Sequence, residues 1–243
     1  MKLNLCIDKG NTRVKVSLFH GTRHLETYFA PSLTGMDFAE VLHGRVADAA
    51  IYSGVAGNDA EIMEYLQKHA HRVLNVRDAV LPIAVTYSTP QSLGSDRIAA
   101  AVGARTLFPE GHLLVVDAGS ALTIDLVDET GFAGGLISPG VRMRLRALHE
   151  FTGRLPLVEP DGSAPFVGDS TETCIRSGVL LGVAAEIDAA AERNRPDGKE
   201  IKVVMTGGDA VLLQTYVKNE VIVEEHLLAK GLNRILLENE HIS

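Results

Sequence analysis

The sequence predicts an α/β protein made by duplication, with two mixed-sheet domains that each run βββαβαβα. Two observations predict this. An apolar run, Leu3, Leu5, Cys6 and Ile7, ends in Asp8, passes Gly10-Asn11-Thr12 and resumes as a strand. Asp117 follows 109 residues later (117 − 8), where the run Leu113–Val116 ends, passes Gly119-Ser120 and resumes in the same way. The order of elements behind each loop is also the same. Repeats at this spacing indicate two related domains rather than a solenoid. The expected division is residues 1–112 and 113–243, each long enough to bury its own core.

In the first half, Val14, Val16 and Leu18 alternate with Lys15 and Ser17, the period of two of a strand with one buried face. His20-Gly21-Thr22 is a turn, and Arg23 to Phe29 is a third strand. Met36 to His43 reads as a short helix closed by Gly44, and Ala47 to Ser53 as a buried strand. Asn58 or Asp59 then caps a helix to about Ala70, since Ile62, Met63 and Leu66 share a face. Arg72 to Val76 is the next strand, and an apolar helical run from Ile98 to Leu107 follows, with Ser95 or Asp96 as its cap. The second half repeats the order. Strands Ser120–Val127 and Phe132–Ile137 flank a 128–131 turn, and a helix follows Pro139-Gly140. A long helix starts at Ser170 or Thr171 and runs to about Arg193. Strand Lys202–Met205, helix Asp209–Val217, strand Val221–Val223 and helix Leu227–Leu237 complete the half.

Composition narrows the class. Hydrophobic residues make up 46% and charged residues 22%, which suits a compact enzyme rather than a disordered chain. A net charge of −8 argues against a nucleic-acid binder, which shows a basic patch. No apolar run reaches the ~20 residues a membrane span needs. Asn4 and Asp8 break up any signal-peptide core, so the expected location is cytoplasmic. Two cysteines, Cys6 and Cys174, are read as free thiols, and the nine histidines show no metal-ligand spacing.

The strand-tip loops carry the chemistry. Asp8 can hold a hydrated Mg²⁺, and the loop amides, the Thr12 hydroxyl and the Lys15 ammonium can bind phosphate. Alone, this stretch is equally an ordinary hairpin, because Asn and Gly are common turn residues. The repeat at Asp117 outweighs that reading. Asp117 is either a second carboxylate for Mg²⁺ or a ligand for a monovalent cation. The segment Ile83–Thr106 is where an acceptor substrate is expected. In it, Asp96 at a helix start can take a hydroxyl proton, and Arg97 can hold a carboxylate in bidentate fashion, a pair that fits a small hydroxy acid. Asp96 as a plain helix cap is the structural alternative. Met205-Thr-Gly-Gly-Asp209 lets a nucleotide base approach the backbone. Arg142, Arg144 and Arg146 are read as solvated, and Phe132-Ala-Gly-Gly135 as turns or a close backbone approach.

Taken in order, Asp8-x-Gly10-Asn11-Thr12-x-x-Lys15, Gly94-x-Asp96-Arg97, Asp117-x-Gly119-Ser120-Ala121 and Gly207-Gly208 resemble the type III pantothenate kinase family. That family belongs to the superfamily of acetate kinases, sugar kinases, chaperone ATPases and actin. The resemblance covers nearly the whole chain, with one departure: Ser120 stands where the family more often has Thr. It implies duplicated ribonuclease-H-like domains with an interdomain nucleotide cleft and ATP-dependent phosphorylation of pantothenate. It further implies ATP contacts from Asp8, Lys9, Gly10, Asn11, Thr12, Lys15 and Ser120, with Asp8 reaching Mg²⁺ through water. Asp96 is implied as the catalytic base, with Tyr87, Gly94, Ser95, Asp96, Arg97 and Thr171 at the pantothenate site. Asp117 is implied to bind K⁺ or NH₄⁺, and the protein to be a homodimer; the acidic charge and the lack of a long apolar run lead to the expectation of no nucleic-acid or membrane partner. Three rival readings remain: another small-molecule kinase of the superfamily, a non-catalytic regulator that keeps the fold, and an actin-like filament.

Overall fold

The computed structural model describes residues 2–10, 13–54, 59–196 and 199–240, with backbone alone at 59 and 60. The chain forms two compact units, Met1–Pro109 with His226–Ser243, and Glu110–Glu225. The first unit contains β1 (Leu3–Lys9), β2 (Val14–His20), β3 (Arg23–Ala30), α1 (Phe38–Val41), β4 (Ala49–Gly54), α2 (Asp59–Leu66), β5 (Val73–Asn75) and α3 (Ser95–Leu107). Its sheet runs β3-β2-β1-β4-β5, antiparallel across β1–β2 and β2–β3 and parallel across β1–β4 and β4–β5.

The second unit contains β6 (His112–Ala118), β7 (Ala121–Asp128), β8 (Gly131–Pro139), α4 (Val141–Glu150), α5 (Thr171–Arg193), β9 (Ile201–Thr206), α6 (Ala210–Gln214) and β10 (Val221–Val223). Its sheet repeats the pattern as β8-β7-β6-β9-β10, with antiparallel and parallel pairs in the same places. The duplication expected from the two loops is therefore present strand for strand. β1 and β6 begin and end 109 residues apart, so Asp8 and Asp117 occupy the same penultimate position.

The packing groups the chain differently from the expected 1–112 and 113–243 division. The last helix, α7 (Leu227–Glu238), belongs to the first unit. It lies backbone to backbone on α3, which only glycine allows. A Cβ on Gly103 would run into the Leu227 carbonyl, and one on Gly231 into the Ala99 carbonyl and the Gly103 nitrogen. Polar contacts fix the helix further. Asn233 accepts from the Asn4 amide at 3.0 Å and donates to the Gly21 carbonyl at 2.8 Å. Asn239 exchanges two hydrogen bonds with the Val80 backbone, at 3.0 and 2.8 Å. His226, just ahead of α7, stacks on His24 with ring centroids 4.1 Å apart.

Each unit has its own core. Leu5, Ile7, Val16, Ala50 and Tyr52 centre the first, and Val116, Leu122, Leu180, Val183 and Met205 the second. Alternation on β2 is weaker than expected, because Ser17 and Phe19 are buried along with Val16 and Leu18. Ser17 is accommodated by a hydroxyl contact to Thr27 at 2.8 Å. Among the described residues no helix is long and apolar enough to cross a membrane.

Several boundaries shift for local reasons. α1 starts after Asp37, whose carboxylate accepts from the Ala39 and Glu40 amides at 2.9 and 3.1 Å. α2 stops at Leu66, well short of Ala70, because Ala70 leaves the helix to bridge Ala47. Asp59 is the first residue of α2, and Gly57 and Asn58 lie outside the described residues. α5 is capped by Ser170 in a reciprocal box with Thr173, so Thr171 is its first helical residue. Gly134 has φ +121, and a Cβ on Gly135 would meet the Ile124 carbonyl. The Gly-Gly pair thus serves a close approach of β8 to β7, not only a turn. Cys6 is buried and Cys174 exposed, and both are free.

Candidate active site

In the first unit the site grows from the end of β1. Asp8 pairs in register with Lys15 across β2 and with Ser53 across β4, so carboxylate, ammonium and hydroxyl lie on one row of the sheet. Gly10 closes the turn by donating to the Arg13 carbonyl at 3.2 Å. Burial penalises the Asp8 charge, the Lys15 ammonium favours it, and the nearby Asp96 carboxylate opposes it. The net effect pushes the Asp8 carboxyl up to about 6. Asn11 and Thr12 of this loop lie outside the described residues.

Asp96 is brought there by the fastening of α3. Ser53, the last fully buried residue of β4, donates its hydroxyl to Ser95 at 2.9 Å. Ser95 in turn reaches the Gly54 carbonyl at 3.4 Å. This corrects the expected cap. The Ser95 hydroxyl is turned toward β4, so the N-cap is Gly94 and no side chain caps the helix end. The helix starts at Ser95, earlier than its apolar run, with Asp96 exposed in the first turn. Asp96 Oδ1 accepts from the Arg97 amide at 2.8 Å. A Cβ on Gly94 would strike the same oxygen, so glycine there leaves the carboxylate room. Arg97 is 7% exposed, and its guanidinium stands 5.8 Å from the Tyr87 ring centroid, a cation–π arrangement. Asp8, Lys9, Gly10, Lys15, Tyr87, Gly94, Ser95, Asp96 and Arg97 therefore all belong to one unit.

In the second unit, Asp117 pairs with Thr123 across β7 and Thr206 across β9. Glycines leave space beside its carboxylate. A Cβ on Gly207, which has φ +97, or on Gly119 would crowd Asp117 Oδ1. Ser120 is exposed, and its loop is held by Gly140, which donates to the Ser120 carbonyl at 3.2 Å and has no room for a Cβ there. The Gly207-Gly208 turn is fixed to the same strand tip where Asp209 N–H donates to the Ala118 carbonyl at 3.0 Å. Burial pushes the Asp209 carboxyl up against the opposing pull of Arg142. Thr171 is exposed at the first turn of α5, on a different element from Asp117 and Ser120.

The arginines read as solvated are not all free of structure. Arg144 donates to Glu186 at 2.7 Å, Ser138 at 3.0 Å and the Pro139 carbonyl at 2.7 Å, which ties α4 to β8 and α5. The sequence reading also passed over Ser53. Its signal was a hydroxyl at the end of an otherwise apolar strand, in register with a site aspartate.

A duplicated five-stranded sheet with an acidic strand tip in each copy defines the class, a two-unit α/β fold shared with solved structures described as sugar kinases. Solved structures agree on the fold. A Campylobacter jejuni protein described as a Baf family transcriptional activator aligns with TM-score 0.65 at 24% identity, covering 98% of this chain and 100% of that one. Component A of Acidaminococcus fermentans (R)-2-hydroxyglutaryl-CoA dehydratase aligns with TM-score 0.53 at 16% identity, covering 98% and 97%. The family profile for type III pantothenate kinase matches residues 4–193. The type III pantothenate kinase of Bacteroides fragilis is 40% identical over 239 residues, 98% of each chain. That of Porphyromonas gingivalis is 37% identical over 244 residues, 98% of this chain and 100% of its own. The chain belongs to the type III pantothenate kinase family, which uses ATP and a divalent metal.

Proposed function

We propose that the chain transfers the γ-phosphoryl group of ATP to the primary hydroxyl of pantothenate, giving 4'-phosphopantothenate, the first step toward coenzyme A. The observation that carries this is the fastening of an exposed carboxylate, Asp96, beside the Asp8–Lys15 pair in a member of this family. Phosphoryl transfer asks for charge neutralisation, positioning and an acceptor for the hydroxyl proton. Asp96 takes that proton. Arg97, backed by Tyr87, holds the pantothenate carboxylate, and Gly94 and Ser95 line the same end of α3. Thr171 adds to the pantothenate site from the partner of a homodimer.

Asp8, Lys9, Gly10, Asn11, Thr12 and Lys15 form the first ATP-phosphate loop, and Ser120 contacts ATP from the second. The residues fit Mg²⁺. Burial and Asp96 both oppose the Asp8 charge, which is the condition a cation relieves. Among the described residues no three His, Cys, Asp or Glu side chains form a metal cage, and Mg²⁺ uses few protein carboxylates, keeping its waters. The chemistry supplied by Mg²⁺ bound there is charge neutralisation on the transferring phosphoryl group. The room that Gly119 and Gly207 leave beside Asp117 fits a monovalent cation, K⁺ or NH₄⁺. Gly207-Gly208 borders the adenosine. The protein works in the cytoplasm, without nucleic-acid or membrane partners.

The test is pantothenate-dependent ATP consumption with and without K⁺, on wild type and Asp96→Asn. Wild type should turn over faster with K⁺, and the variant should bind ATP but lose at least about 100-fold in kcat. Turnover on sugars alone would refute the substrate, and unchanged turnover by Asp96→Asn would remove it as the base.

A further inference from the structure

We propose that Ser53 is a positioning residue for phosphoryl transfer: through Ser95 it fixes the first turn of α3, and with it Asp96, at the tip of β1. The inference rests on the reading of Asp96 as the base. Ser53 is the penultimate residue of β4, whose preceding residues Ala50, Ile51 and Tyr52 are 0%, 0% and 1% exposed, and it is itself 1% exposed. A hydroxyl at such a place costs free energy unless it is bonded, and a small apolar residue would fill the space without that cost.

Its bond is spent on one atom, the Ser95 hydroxyl, at 2.9 Å. Ser95 is 5% exposed and passes the contact on to the Gly54 carbonyl at 3.4 Å. Ser95 is the first residue of the helix, and its hydroxyl is engaged with β4 rather than with the helix end. Ser53 is also the residue of β4 in register with Asp8. One hydroxyl thus indexes the substrate-side helix to the strand that carries the phosphate-side aspartate. The second unit has a hydroxyl at the same place. Thr206 is in register with Asp117, and its hydroxyl reaches the Glu225 carbonyl, ahead of α7, at 3.5 Å.

Ser53→Ala removes the bond and little volume. Losing one hydrogen bond should lower Tm by no more than about 5 °C. If Ser53 positions the base, kcat at saturating substrates falls about tenfold while KM for ATP stays within about twofold. Ser53→Thr, which restores a hydroxyl of the type found at Thr206, should recover kcat to within about threefold of wild type. Added to Ser95→Ala, the Ser53→Ala change should cost less than about twofold more, because the two act through one bond. An unchanged kcat in Ser53→Ala, or losses in the two serine variants that multiply, would overturn the proposal. So would a rise in KM for ATP that parallels the fall in kcat. Asp96→Asn is run beside them: if it keeps full turnover, the reading of the base fails instead. If Ser53→Ala is not recovered folded, the Ser53→Thr kcat and the Ser95→Ala kcat-against-KM split decide.

Discussion

Replacing Asp8 with Asn removes a charge that the fold holds at a cost. Burial, and to a lesser degree Asp96, raise the Asp8 carboxyl from 3.8 to about 6 despite Lys15. That displacement corresponds to up to about 3 kcal/mol. The sign is the reverse of an ion-paired carboxylate. Between the two values the folded chain keeps a proton that the unfolded chain has released. The penalty is therefore fully present above about pH 7, shrinks as pH falls through 6, and is gone below the unfolded value of 3.8. The Asn variant escapes it. Melted by circular dichroism in EDTA without nucleotide, it should be more stable than wild type at pH 7.5 by roughly 6–12 °C. The gain should fall to about a third of that at pH 4.5. An Asn variant that melts at or below wild type at pH 7.5, or gains equally at both pH values, would refute the reasoning. The same variant should lose most of its kinase activity, so stability and function would move in opposite directions.

Other substitutions probe packing and surface charge. Gly231→Ala gains about 1 kcal/mol of helix propensity but drives a methyl into the Ala99 carbonyl and the Gly103 nitrogen, groups that cannot rotate away. A fall in Tm of roughly 4–8 °C is expected, and an unchanged Tm would mean that the helices can part without cost. The Lys199–Glu129 pair, 3.0 Å apart with both side chains more than half exposed, should matter little, so Lys199→Ala should shift Tm by less than about 2 °C. Arg144→Met breaks three contacts of a side chain only 20% exposed and should lower Tm by more than Lys199→Ala does.

Local chemistry was legible in the sequence wherever cause and effect lie close along the chain. Asp8 and Asp117 each end an apolar strand and meet a glycine two residues on, so their places at matching strand tips could be read directly. The repeated order of elements along the chain followed from the same reading, while the order of strands within each sheet did not. Contacts set by distant residues were not legible. Gly231 looks like a weak point in a helix until Ala99 is seen against it. Ser95 resembles a good helix cap until Ser53, 42 positions earlier, claims its hydroxyl. α7 reads as the end of the second domain because chain order is all a sequence offers. Its partners Asn4, Gly21 and Val80 are all in the first.

The return of α7 also orders events during synthesis. Between Leu107, where α3 ends, and Leu227, where α7 begins, lie about 120 residues, including the whole of the second unit. At translation rates of about 5–20 residues per second, α3 waits roughly 6–24 s on the ribosome for its covering helix. During that interval Ala99 and Gly103 lack the backbone that fits them. The first unit is begun first and finished last, and the helix that carries Asp96 is seated only once the second unit has been made.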